Sequence, residues 1–154
     1  MRRAAFGGAL VLCVAMALAG CDTPTASVRS TVPLKVTSGL EAALLAAGAA
    51  AHHLPVRDFT GLTKGRTFYA RDGVQYWAGA QLIPSKSSMA AQVVVQDDGA
   101  YDLFTMYAPD LKWTVYEDGL GTMKGTHCAI VVPTIVRVTW HWSTNTPCGG
   151  PPGI

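Results

Sequence analysis

Three groups of side chains in this sequence have chemistry beyond packing. His127, Cys128, His141 and Cys148 are residue types that ligate zinc, because imidazole nitrogen and thiolate sulfur suit that ion. Their spacing matches no zinc finger or ribbon, and adjacent ligands such as His127 and Cys128 are awkward to aim at one metal. Asp97, Asp98 and Asp102, with Glu117 and Asp118, form an oxygen-rich set of the kind that gathers calcium. The set lacks the ordered alternation of a calcium loop, and Asp-Asp-Gly is equally good turn chemistry. The same acids offer pairs for glycoside hydrolysis, yet nothing in their spacing fixes the ~5 to 9 Å separation which that reaction needs. His52 and His53 close an alanine-rich run. Neighbours on a helix diverge by about 100°, so capping and solvation suit this pair better than one shared metal.

The usual catalytic signatures are missing. The chain has no Gly-x-Ser-x-Gly elbow, no lysine three residues after a serine, no His-Glu-x-x-His pair and no phosphate-cradling glycine loop. That lowers the expectation of catalysis without removing it. No metal or other cofactor is expected.

The N-terminal residues carry a different chemistry. Arg2 and Arg3 precede an uncharged, proline-free apolar run from Ala4 to Ala19, followed by Gly20 and Cys21. A positive start, a short apolar stretch and small residues before a cut site make an export signal. The run falls short of the roughly 20 residues that span a bilayer with margin. Leu18-Ala19-Gly20-Cys21 resembles the lipobox of bacterial lipoproteins. That resemblance implies a diacylglycerol thioether on Cys21, cleavage before it and acylation of the new amino terminus. One acyl chain holds a protein only marginally at a membrane; two or three hold it stably. The arginine pair also hints at twin-arginine export, but its flanks fit poorly and the ordinary secretory route is expected.

With residues 1–20 removed, 134 residues remain, the size of one domain. The expected organisation is a signal peptide over 1–20, lipidated Cys21 with a Thr/Ser/Pro-rich tether over 21–37, and a single domain over 38–154. Loss of Arg2 and Arg3 leaves ten basic against ten acidic side chains, a balance that excludes a nucleic-acid binder built on a basic face. Cys13 leaves with the signal and Cys21 carries lipid, so Cys128 and Cys148 read most simply as one disulfide in an oxidising compartment. The zinc reading above is its competitor.

The elements that must position these residues follow from pattern. Ser38 with Glu41 has the form of a capping box, and a helix carrying Leu40, Leu44, Ala47 and Ala51 on its apolar side should run until Leu54-Pro55 ends it. Asp72-Gly73 between β-rich runs predicts a hairpin pairing Tyr69 with Tyr76 and Phe68 with Trp77. "MAAQVVVQ" and "AYDLFTMY" around Asp97-Asp98-Gly99 predict a second hairpin, and "KWTVYED" a further strand. A two-residue turn before that strand aligns Phe104 with Val115 and sets Asp102 opposite Glu117, which like-charge repulsion disfavours. Residues 134–142 alternate like a strand, but Pro133 suits a helix start, so a short helix is expected. The expected fold is α+β: an antiparallel β-meander of four to five strands, an N-terminal helix, a short C-terminal helix and one disulfide.

The aromatic residues are the most suggestive for binding. Trp77, with Gln75 two residues before it, and Trp113 present rings and an amide that could hold a glycan, a lipid headgroup or a protein; helices covering that face would instead make the rings core. Together with the lipobox, "YWAGAQLIPS", "QDDGAYDLFT", "KWTVYEDGLG", Cys128, Val132-Pro133 and Trp140 are similar to a group of small uncharacterised actinobacterial lipoproteins, over roughly residues 66–148. The resemblance implies address and architecture, with no catalytic residue. The expected function is a non-catalytic binding module on the extracytoplasmic face of the cell membrane, its partner an envelope protein or glycan. The alternatives are a small envelope hydrolase using carboxylates or His127 and His141, and an inhibitory lipoprotein of the kind prophages carry.

Overall fold

The first helix starts on Thr37, whose side chain accepts a hydrogen bond from the Leu40 N–H at 3.2 Å while its carbonyl takes the Glu41 N–H at 3.0 Å. The cap thus falls one residue before the expected Ser38 and satisfies the same orphan N–H groups. The structure, a computed structural model, describes residues 31–98, 101–118, 123–124, 127–128 and 132–144. Helix α1 (Ser38–Ala51) buries Leu40, Leu44, Gly48 and Ala49. Ala47 is half-buried and Ala51 exposed, so the buried stripe is rotated from the expected one toward Gly48.

Five strands lie in the order β1 (Thr31–Pro33), β3 (Phe68–Asp72), β4 (Gln75–Pro84), β5 (Tyr101–Tyr107), β6 (Thr114–Asp118), and β2 (Phe59–Leu62) pairs with the far end of β4. Every pairing is antiparallel. β1 lies inside the stretch expected to be tether: Val32 is the partner of Arg71, so the folded unit starts no later than Thr31. Two short strands, β7 (Met123–Lys124) and β8 (His127–Cys128), pair with each other.

The Asp-Gly hairpin forms with its register moved by two residues. Asp72 pairs with Gln75 and Phe68 with Gly79, placing Gly73 and Val74 at the tip. Gly73 has φ +61° and Val74 is not left-handed, as a turn with glycine first requires. An even shift preserves the faces, so Tyr69 and Tyr76 still stack, 6.0 Å apart, as diagonal neighbours.

The second expected hairpin does not form. Met89–Asp98 is a helix, α2, which takes in both Asp97 and Asp98 of the expected turn. Local hydrogen bonds outweigh the strand preference of Val93, Val94 and Val95. Ser88 Oγ accepts the Ala91 N–H at 3.2 Å, as an N-cap does, and the Gln92 side chain donates to the carbonyls of Ser85 and Lys86. The meander is therefore interrupted by a helix. Between β5 and β6 the expected Phe104–Val115 pairing is present, but a bulge leaves Tyr116 unmatched and sets Asp102 opposite Asp118 in place of Glu117.

Within residues 134–142 a short helix forms: α3 (Thr134–Thr139) follows Pro133. Both α1 and α3 end alike. His53 and His141 adopt φ of +56° and +57°. Leu54 donates to Ala49 and His53 to Ala50; Trp142 donates to Arg137 and His141 to Val138. These are Schellman caps with histidine where glycine is usual.

Alternation along the strands sorts the core into two layers. On one face Ala78, Ala80, Leu82 and Phe104 pack under α1 with Phe59 and Ala91. On the other, Ala70, Trp77, Tyr101 and Leu103 pack with Val132, Val136, Trp140 and Trp142 from α3 and its flanks. Each large apolar side chain buried this way contributes about 2 kcal/mol. The structure is thus α+β with helices on both sides of one antiparallel sheet.

Candidate functional site

On the α1 face the helix and the start of β6 leave an open groove of about 570 Å³. One wall is the alanine side of α1, Ala43, Ala47 and Ala50 among others; the opposite wall is Leu111 to Val115. The alanines make room because no longer side chain fills the gap. Two features fix the height of α1 above the sheet. Gly48 stands over β5 and β4: a Cβ there would lie 2.8 Å from both Asp102 Oδ2 and Leu82 Cδ2. His52, the C-cap, turns inward to place Nε2 3.6 Å from Asp102 Oδ1, with both side chains almost wholly buried. His52 is therefore not solvated as expected. It ties the helix end to a carboxylate beneath it.

The other lip of the groove is strained. Leu111 has φ +49°, a left-handed conformation that costs a leucine about 1–2 kcal/mol. Its N–H and that of Asp110 both donate to the Tyr107 carbonyl, closing the tight connection between β5 and β6. Its side chain is 75% exposed. A large apolar group held out to water on a strained backbone is a feature of ligand clamps more than of cores.

Trp113 extends the groove into a row of rings. It meets Tyr69 edge-on at 5.8 Å, Tyr69 stacks on Tyr76, and the Arg71 guanidinium lies 5.4 Å from the Tyr76 ring centre. The Tyr69 hydroxyl pKa is raised, mainly by burial and further by neighbouring Tyr76, with Arg71 opposing. It stays a neutral donor across the physiological range. Lys112 is the charged side chain of the groove itself.

The residues singled out for binding are divided between the faces. Trp113 lines the groove. Trp77 is buried on the opposite face, edge-on to Tyr116 at 5.4 Å, and Gln75, two residues earlier, shares that face half-buried. Trp77 and Gln75 therefore cannot join Trp113 in one surface. The signal missed in the sequence was the alanine stripe of α1, whose small side chains mark a gap as readily as a close contact.

Asp102 is drawn under α1 beside His52. Among the described residues no three His, Cys, Asp or Glu side chains gather into a metal site. His141 is an exposed helix cap. Cys21 and Cys148 lie outside the described residues, as do the side chains of Asp97, Asp98, Glu117, Asp118, His127 and Cys128; the expected lipid, disulfide and metal sets fall there. Among the described residues no helix is long and apolar enough to cross a membrane. Comparison with known proteins finds no matching family model, no matching curated protein and no matching solved structure.

Proposed function

We propose that this chain is an exported protein, held at the outer face of the cell membrane by lipid on Cys21, that acts by binding an apolar segment of an envelope protein in the groove between α1 and β6. The groove and its exposed lip carry this reading. Its volume lies in the range of binding clefts, and its lining is alanine, leucine and valine with only Lys112, Trp113 and Thr114 able to hydrogen-bond through side chains. A glycan needs more polar partners than that, so a protein segment is favoured over the glycan alternative. Among the described residues β6 pairs on one side only, with β5. Its other edge offers N–H and C=O groups to an extended chain laid beside it.

The anchor rests on the Leu-Ala-Gly-Cys sequence at residues 18–21. A disulfide between Cys128 and Cys148 fits the same oxidising address. Membrane fractionation separates the two halves of the proposal. Cys21→Ala should move the protein from the membrane pellet to the soluble fraction. Ala47→Glu, which puts a carboxylate into the groove, should leave it in the pellet but abolish its capture of a partner after crosslinking. Unchanged pelleting of Cys21→Ala would discard the anchor, and unchanged capture by Ala47→Glu would discard the groove.

A further inference from the structure

The α1 face of the sheet continues past the helix. One rung of the ladder there, Val32, Arg71, Tyr76 and Met106, runs straight across β1, β3, β4 and β5, and residues paired directly across strands share a face. Tyr76 stands two residues from Ala78, which packs under α1, so the rung faces the same side as the groove. The core beneath α1 takes in the next rung, with Ala78 and Phe104, and leaves this one out. Val32 is 49% exposed, Arg71 is exposed and Tyr76 is half-buried.

Arg71 is held in place on this rung. Its Nε donates to the Gly73 carbonyl at 2.7 Å, and its guanidinium carbon lies 5.4 Å from the Tyr76 ring centre, close enough for ring and cation to attract. Among the described residues no acceptor bonds its terminal amino groups, and no carboxylate pairs with it or with Lys112. Asp72, its neighbour in the strand, faces the other side of the sheet. A guanidinium fastened at Nε and presenting its other nitrogens is a fork for two oxygens, which a carboxylate matches. Holding the fork in advance lowers the cost of ordering it on binding.

A row of rings leads from the groove to this fork. Trp113 lines the groove and meets Tyr69 at 5.8 Å, and Tyr69 stacks on Tyr76 at 6.0 Å. About five or six residues of extended chain, at ~3.3 Å each, cover the steps from Trp113 to Arg71. With Lys112 at the groove, the path has a cation at each end and no acidic side chain among the residues that line it. Its complement is an extended segment that carries negative charge.

We propose that the apolar segment bound in the groove carries an acidic side chain, about five or six residues from the one seated against Leu111, and that its carboxylate docks on Arg71. The inference rests on the groove reading above and gives the partner its chemistry: apolar over α1, passing along Trp113 and the tyrosines, acidic at the rung. Val74, at the hairpin tip, lies beyond the contact.

Photo-crosslinking in intact envelopes, with probes at Leu111 and at Val32 and the adducts sequenced by mass spectrometry, tests it. Both probes should mark one protein segment, with Asp or Glu at the Val32 end. A synthetic peptide of that segment should bind the full chain, and the same peptide with its acid changed to the amide should bind about tenfold more weakly. Arg71→Gln should cost the acidic peptide the same factor and leave the amide peptide unaffected. Arg71→Lys, which keeps the charge and loses the fork, should recover part of the loss, and near-UV circular dichroism of the stacked tyrosines checks the fold of both variants. A marked segment that has no acid or that the Val32 probe misses, an amide peptide that binds as well, or equal loss of both peptides in Arg71→Gln would overturn the docking on Arg71 and leave the groove standing. Adducts of Leu111 with glycan or lipid, or none at all, would overturn the groove reading and this inference with it.

Discussion

The two faces of one sheet answer the same problem differently. Residues two apart on β4 and β5 feed each layer, and each layer buries polar atoms. On the α1 face Asp102, fully buried, meets His52 at 3.6 Å; its partner comes from a helix about fifty residues earlier in the chain. On the α3 face the three indole Nε1 groups and the Tyr101 hydroxyl are buried with no hydrogen-bond partner among the described residues. A buried carboxyl needs a partner that the fold positions accurately. An indole N–H can be satisfied by any backbone carbonyl laid near it. The first face is therefore rigid enough to frame a groove.

Removing His52 should break the comparison most severely. His52→Ala leaves Asp102 buried beside α1 without its imidazole, and loss of one partner of a buried pair costs about 3 kcal/mol. Urea unfolding should show that loss, with α1 the first element to lose amide protection. A cost near zero would mean that α1 is held by apolar packing alone.

On the opposite face Gly79→Ala should cost about 2 kcal/mol, because its Cβ would meet the Tyr101 hydroxyl at 2.6 Å in a layer with no room to relax. Tyr101→Phe removes that atom and leaves ring carbons at 3.1 and 3.2 Å. The alanine should therefore be cheaper in that background, by a coupling of about 1 kcal/mol in a double-mutant cycle.

Tyr101 also sets an alkaline limit. Burial pushes its pKa far above the ordinary tyrosine value, with nearby Arg66 opposing only in part. Above pH 10 the unfolded chain releases this proton while the folded chain keeps it, so the native state binds more protons and stability falls as pH rises. The slope approaches about 1.4 kcal/mol per pH unit for one such group. Tyr101→Phe should flatten the curve above pH 10 and leave it unchanged at neutral pH. Tyr69, raised more modestly on the α1 face, supplies the residual slope.

The smallest effects distinguish strain that closes a helix from strain that shapes a site. His53→Gly and His141→Gly relieve left-handed caps and should each add about 0.5 kcal/mol of stability with partner capture unchanged. Leu111→Gly relieves a similar strain and should stabilise as much, yet it removes the exposed lip of the groove and should weaken capture. A gain in stability with full capture would make Leu111 merely a turn residue.

Much of this architecture could be read from residue patterns, and the failures have physical causes. α1, α3 and the Asp-Gly hairpin rest on local chemistry: a cap, a proline start and a glycine with positive φ. The hairpin register slipped by two because Gly73, not Asp72, takes the first central position. α2 was misread because three consecutive valines speak for a strand while the deciding contacts, Ser88 to Ala91 and Gln92 to Ser85, are polar and close in sequence. The His52–Asp102 pair joins positions that no spacing rule connects. Trp77 and Trp113 looked alike as exposed rings on strands, and only the sheet's order assigns them to opposite faces.

The most direct test of the groove is photo-crosslinking in intact envelopes, with the probe placed at Leu111 on the lip and, as a control, at Val74, which is 63% exposed on the far hairpin. A discrete adduct at Leu111 that disappears with Ala47→Glu, and none at Val74, is the result expected of a binding groove. Equal labelling at both positions, or none at Leu111, would contradict it.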